Sequence, residues 1–208
     1  RKYLKINIPS LKQSADISFD PNSNLQNLSG QMKLKVFETI AQLNFEGRDS
    51  FIISNSYIRN KFLNSKINGK IYFKNEFNFD LNLNINQINL RKLLIYYPII
   101  QKGGISKKIN GKINIDAKNI DSILGKIRDL KTVLSFENGD IRIDNLSAKL
   151  PENSNFKSNL LISSEDKTPK LKFSINFFTK EANKFLRKFG IYDAGDNQFS
   201  LFSEGDIN

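Results

Sequence analysis

Near neutral pH, protein chemistry draws on a short set of side chains, and this chain lacks most of them. Its 208 residues include no His and no Cys. General base catalysis most often uses His, and nucleophilic catalysis most often pairs Ser or Cys with His. Neither pair can be assembled. A transition-metal cluster is not credible without these ligands, and a disulfide framework and thiolate chemistry are equally out of reach. Carboxylate pairs remain: Asp140 with Asp144, and Asp116 with Asp121. Asp140 and Asp144 stand four apart in an alternating segment, so they share the wet face of a strand and are expected to be solvated. No Walker loop or dinucleotide fingerprint occurs, and Gly103-Gly104 reads as a plain loop. The expectation is a non-enzyme that holds no metal and no cofactor.

The formal charge is +11. Its lysines are scattered along the chain among Asp, Glu and Asn, and Arg is the minority cation. A nucleic-acid surface needs a clustered basic patch rich in Arg, so no nucleic acid is expected. Attraction to anionic membrane surfaces needs only diffuse positive charge. Asn, Lys and Ile are abundant throughout, a uniform bias that weakens any inference from net charge. No apolar run approaches the roughly 20 residues that span a bilayer as a helix. The chain opens on Arg1 rather than Met, which reads as an excised part of a longer protein.

The elements around these residues are organised by residues 77–97. Phe77, Phe79, Leu81, Leu83 and Ile85 alternate with Asn78, Asp80, Asn82, Asn84 and Asn86, the period of a strand with one apolar face. Leu90, Leu93, Leu94 and Tyr97 then change the period to that of a short amphipathic helix, with Asn89 as its cap and Pro98 as its stop. The unit returns 92 residues later. Leu171, Phe173, Ile175 and Phe177 share one strand face, and Ala182, Phe185, Leu186 and Phe189 form a helix stripe. Thr179 is placed as N-cap, and Gly190 fits the residue after the helix. Two repeat modules are therefore expected, at 1–100 and 101–208, each containing one small helix. The helices are expected to cap one end of the sheet.

Other strands follow at spacings of about 8 to 14 residues with turn signals between them, the rhythm of an antiparallel meander. Weak strands are expected around residues 4–8 and 15–19. A phase change near 36–38 suggests a bulge or bend, and Gly47-Arg48-Asp49-Ser50 a hairpin turn. Residues 51–63 read as a strand pair, or one strand and a loop. Ile109, Gly111, Ile113, Ile115 and Ala117 restart the alternation. Ile120, Ile123, Leu124 and Ile127 keep helical spacing and suggest a helical turn. Glu137-Asn138-Gly139 reads as a turn, a bulge is expected between Ile143 and Leu146, and turns at 151–155 and 164–169.

From residue 130 onward the chain resembles the AsmA family. LKTVLSFENGDIRIDNLSAKLPENSNFKSNLLIS has a strand, a Gly-containing turn and a strand of the form G-x-I-x-I-x-x-L-x-A-x-L, carried by Gly139, Ile141, Ile143, Leu146, Ala148 and Leu150. Phe189-Gly190-Ile191 and the last strand with Gly205 continue the family's order of pieces. Pro151-Glu152-Asn153-Ser154 stands where family members usually have a Gly-rich turn. The resemblance covers about 104–208 and is looser before that. It implies an inner-membrane-anchored, periplasmic protein of Gram-negative bacteria, with its anchor outside this chain. The family also looks related to the TamB and YhdP proteins, and the resemblance implies roles in outer-membrane assembly and in moving phospholipid between the two membranes.

The expected fold is mainly β: an elongated, twisted antiparallel repeat sheet forming an apolar groove, with two or three short helices. The groove is assigned to Phe77, Phe79, Leu81, Leu83, Ile85, Ile109, Ile113, Ile115, Leu171, Phe173, Ile175 and Phe177, with phospholipid acyl chains as the ligand. Envelope proteins are further candidate partners. From alternation alone the same faces fit a closed core in a structural or interaction module, and that alternative stays open here.

Overall fold

Period-two alternation repeated from end to end builds a single sheet. The computed structural model describes residues 3–8, 13–24, 26–73, 77–93, 109–123, 125–163, 170–192 and 198–207. The strands are β1 (Tyr3–Ile8), β2 (Gln13–Phe19), β3 (Leu28–Val36), β4 (Thr39–Gly47), β5 (Ser50–Arg59), β6 (Leu63–Tyr72), β7 (Phe77–Asn89), β8 (Ile109–Ser122), β9 (Gly125–Glu137), β10 (Asp140–Leu150), β11 (Ser154–Ser163), β12 (Lys170–Thr179) and β13 (Phe199–Ile207). Helix α1 (Leu90–Leu93) follows β7, and α2 (Ala182–Arg187) follows β12. The thirteen strands lie in chain order, and β1 and β13 each have one neighbour, so the sheet is open. At about 4.8 Å per strand, it measures roughly 58 Å along its curve.

Every neighbouring pair is antiparallel except β7 and β8, which run parallel with Phe77 opposite Ile109 and Ile85 opposite Ala117. This corrects the expectation of an unbroken antiparallel meander. Strand β7 runs directly into α1 at one end of the sheet, and β8 begins again at the other end. The expected module boundary at 100/101 falls between these two strands, outside the described residues. So do Leu94, Tyr97, Pro98, the Gly103-Gly104 loop and the 164–169 turn. The strand–helix unit does recur at the expected interval: α1 starts at Leu90 and α2 at Ala182, 92 residues apart (182 − 90). Asn89 caps α1, its Oδ1 accepting the Lys92 N–H at 3.1 Å.

The apolar face is continuous in the pairing register. One row runs Leu28, Gly47, Phe51, Ile71, Phe79, Gly111, Phe136, Ile141, Ile162, Leu171, Ile207, from β3 to β13. Keeping that face apolar along each strand requires a device, because apolar residues do not always stand two apart. In β5 the step is Ile53 to Ser56, in β8 Ala117 to Ile120, and in β10 Ile143 to Leu146. Inside each step sits an asparagine with a left-handed backbone: Asn55 (φ 47), Asn119 (φ 50) and Asn145 (φ 53). Asn enters that conformation more readily than other side-chain-bearing residues. In β5 and β10 the step is a bulge, with the register shifted against both neighbours. In β7, β8 and β9 the steps coincide (Ile85 to Ile88, Ala117 to Ile120, Ile127 to Leu130), and the register is kept. Bulges bend a strand and raise its twist.

The backbone groups freed at these steps are satisfied by side chains. The Asn44 N–H donates to Ser56 Oγ at 2.8 Å, Thr132 Oγ1 donates to the Asp144 carbonyl at 3.0 Å, and the Asn145 N–H donates to Asn159 Oδ1 at 2.8 Å. The bulge expected between Ile143 and Leu146 is present. The helical turn expected at 120–127 is not. Ile120 lies near the end of β8 opposite Ile127 near the start of β9, and the two strands are joined by a hairpin in which Ser122 Oγ donates to the Gly125 carbonyl at 2.8 Å. The helix-like spacing there came from two bent strand ends plus Ile123, which is exposed in the turn. Likewise the phase change at 36–38 is a two-residue hairpin turn, with Phe37 left-handed (φ 53) and Val36 opposite Thr39. Residues 50–59 form the single strand β5. The turns expected at 47–50 and 137–139 are hairpins, the second with Asn138 and Gly139 both at positive φ, as a type I′ turn requires.

If these asparagines are selected for a left-handed backbone, Asn145→Gly will unfold within about 0.5 kcal/mol of the parent, whereas Asn145→Val will lose roughly 1–3 kcal/mol. Urea denaturation of both variants checks this. Equal effects would mean that backbone conformation is not what Asn145 supplies.

Candidate functional site

All twelve residues assigned to a groove lie on this one face, and the structure divides them by depth. Phe79, Leu81, Ile85 and Phe177 are buried among neighbours. Leu83, Ile109, Ile113, Ile115, Leu171, Phe173 and Ile175 are half-buried, and Phe77 is 37% exposed. Two apolar clusters run along the middle strands. One centres on Ile53, Ile67, Phe79 and Leu81, the other on Ile85, Ile88, Ala117, Ile120, Ile127 and Ala148. Toward the sheet's two edges the face opens: Leu4 is 52% exposed and Ile207 57%. The same face includes Met32, Leu43, Phe136, Ile143, Phe156 and Leu160, which were not assigned to the groove. Their signal was the same alternation, read strand by strand rather than across the sheet.

One end of the strands is aromatic. Phe19, Phe45, Phe51, Phe73, Phe77, Phe79 and Phe136 form an unbroken series of ring contacts with centroids 5.4 to 6.1 Å apart. Such pairs contribute about 0.5–1.5 kcal/mol each beyond the area they bury. Glycines on the face make room for the rings. Gly111 has φ +141, and a Cβ there would sit 2.8 Å from Cγ of Phe79 and 2.3 Å from its carbonyl oxygen. Phe79 lies over this gap and meets Phe136 of β9 at 5.7 Å.

The other end carries both helices, as expected of end caps. In α2, Phe185 stacks on Phe177 at 4.4 Å, and Ala182 is buried. The expected capping role of Thr179 is corrected: Glu181 occupies the N-cap and makes no side-chain cap bond. Thr179 instead joins two segments, because β12 ends beneath the β10–β11 turn. Its fully buried Oγ1 donates to the Glu152 carbonyl at 3.0 Å and accepts the Glu181 N–H at 3.1 Å. Glu152 also receives Lys188 Nζ at 2.7 Å, and Asn153 Nδ2 donates to Glu181 Oε1 at 2.6 Å. The Lys184 ammonium hydrogen-bonds Glu181, holding that carboxyl below its ordinary range and raising the lysine. Gly190 (φ 77) closes the helix, with the Ile191 N–H on the Leu186 carbonyl and its own N–H on that of Arg187, a Schellman pattern.

The opposite face is polar. Asn68, Asn82 and Asn114 are linked side chain to side chain across β6, β7 and β8 at 3.3 and 3.1 Å. Asp80 meets Lys112 at 3.3 Å, Asp116 meets Lys131 at 3.9 Å, and Asp129 meets Lys149 at 3.2 Å. These pairs are largely exposed, so each contributes under about 1 kcal/mol. Asp116 is therefore paired with a lysine, and Asp121 lies opposite Lys126 in the ladder. Asp140 and Asp144 share the polar side of β10 with Arg142. Among the described residues there is no group of three carboxylates placed to hold a metal ion.

No family model, curated protein or solved structure matches this chain.

Thr179 gives a check on the helix end. Thr179→Val keeps the shape and removes the hydroxyl, taking the side-chain acceptor from the Glu181 N–H and leaving the Glu152 carbonyl with Ser154 Oγ alone. Stability should fall by roughly 1–3 kcal/mol. Amide exchange across 182–187 should quicken before that of the central strands. Exchange that rises equally everywhere would contradict a local clamp.

Proposed function

We propose that this chain is a lipid-binding segment of a periplasmic, AsmA-like envelope protein, anchored in the inner membrane through a segment outside this sequence. Its role is to hold phospholipid acyl chains on the apolar face during outer-membrane assembly and exchange of phospholipid between the membranes. The observation that carries this reading is an apolar face continuous from β3 to β13 in a thirteen-stranded sheet that does not close. Among the described residues the helices occupy only one end of it. Exposed apolar area on this scale ordinarily has a ligand or partner. The mechanism is passive. Each acyl CH₂ moved from water onto the face contributes about 0.8 kcal/mol, with no need for specific polar contacts. The face measures roughly 58 Å along its curve, whereas one leaflet's hydrocarbon is about 15 Å deep. A single lipid therefore covers only part of it, which suits a path better than a pocket. The AsmA resemblance in residues 104–208 supports the cellular setting.

The test is native mass spectrometry and lipid extraction of the chain purified from a Gram-negative envelope. Phospholipid should co-purify. It should be lost in a Leu134→Asn, Leu160→Asn variant, whose sites are half-buried, while circular dichroism still reports β-sheet. Lipid-free parent protein would favour a structural or interaction module instead. The same would follow from lipid retained undiminished by the folded variant.

A further inference from the structure

Five cations converge at the helix-bearing end of the sheet. Lys126 and Arg128 come from the start of β9, Lys149 from the end of β10, and Lys180 and Lys188 flank α2. Together they line a cavity of about 730 Å³ whose floor includes Leu150, Pro151 and Ser154. Among the described residues Glu152 is the only carboxylate lining it. Two cations are already engaged: Lys188 with Glu152 at 2.7 Å and Lys149 with Asp129 at 3.2 Å. Lys126, Arg128 and Lys180 are exposed. With Glu152 and Asp129 set against them, the described cations keep a formal surplus of three positive charges (five less two). Elsewhere on the described polar face, lysines alternate with Asp and Asn, as in the pairs above.

The wall is fixed rather than loose. Thr179, Ser154 and Lys188 all bond to Glu152, two of them to its carbonyl, and Asn153 bonds to Glu181. The β10–β11 turn and the approach to α2 are therefore one body, which carries Lys149, Lys180 and Lys188 and faces Lys126 and Arg128 of β9 across the cleft. Leu150, which lines the cleft, packs against the apolar cluster of Ile88, Ile120 and Ile127. The cationic cleft and the apolar face thus meet at one residue, an arrangement that fits an anionic head joined to an apolar tail.

We propose that this cleft is a binding site for a phosphate-class anion, with Lys126, Arg128 and Lys180 as its principal ligands. Arg128 supplies a planar fork matched to phosphate oxygens, and the lysines supply compact charge. A phosphodiester headgroup and free inorganic phosphate share this chemistry. The headgroup source rests on the lipid reading above; the anion site itself does not.

The test compares a Lys126→Ala, Arg128→Ala, Lys180→Ala variant with a control, Lys33→Ala, Lys66→Ala, Lys70→Ala, which removes equal charge from exposed strand positions. Binding is measured to phosphatidylcholine vesicles with and without phosphatidylglycerol, and to inorganic pyrophosphate. Loss of at least about tenfold in affinity for the anionic vesicles, confined to the cleft variant, is the expected result. Loss confined to pyrophosphate would assign the site to a soluble phosphate. Equal losses in both variants, or parent protein that binds neither probe, would overturn the proposal. Uptake of an uncharged diacylglycerol probe, read on the same samples, reports the apolar face separately and should be unchanged in the cleft variant.

Discussion

A sheet one layer thick must keep one side apolar along every strand while the strands bend. Strict alternation keeps the side chains on their faces in a straight strand, and an inserted residue exchanges them. This chain reconciles bending with facing through left-handed asparagines. At Asn55, Asn119 and Asn145 the backbone takes an extra step, and the next apolar side chain returns to the same face. Serine, threonine and asparagine side chains then satisfy the amides and carbonyls that the step releases. The abundance of Asn, which looks like compositional drift, thus supplies structural parts at these positions.

The parallel pairing of β7 and β8 is the second consequence of how elements follow one another. After β7 and α1 the next strand, β8, starts at the opposite end of the sheet. A similar helix after β12 leads to β13 in antiparallel pairing. Similar strand–helix units are therefore followed by parallel pairing in one place and antiparallel pairing in the other. Both helices end up at one end of the sheet, opposite the phenylalanine series. This gives the apolar face two unlike borders, one aromatic and one cationic.

Much of the fold was legible from local signals. Alternation placed most strands, the Asn-Gly turn at 138–139 and the bulge at 143–146 were readable, and the 92-residue interval recurs in the helix starts. What was not legible depended on pairing. Ile120, Ile123 and Ile127 mimic a helix because a hairpin joins the end of β8 to the start of β9, which only the pairing reveals. The turn at Phe37-Glu38 looked like a bulge because reversal of the chain and insertion of one residue both exchange the faces. The twelve groove residues share the expected face, but their depths follow from neighbours far away in sequence. Phe79 is covered by Phe136 and Phe177 by Phe185, whereas Phe173 stays half open. The cationic cleft draws on three separate segments, each with an unremarkable basic residue or two.

The central claim is that acyl chains lie on the apolar face, and paramagnetic relaxation by a doxyl-labelled phospholipid reads it residue by residue. With Ile and Leu methyl groups labelled, signals from Leu83, Leu134, Ile143 and Leu160 should broaden on titration. Ile52, half exposed on the polar side, should keep its linewidth. Broadening shared equally by Ile52, or absent from the inner face, would contradict lipid on that face and return those residues to the role of an ordinary core.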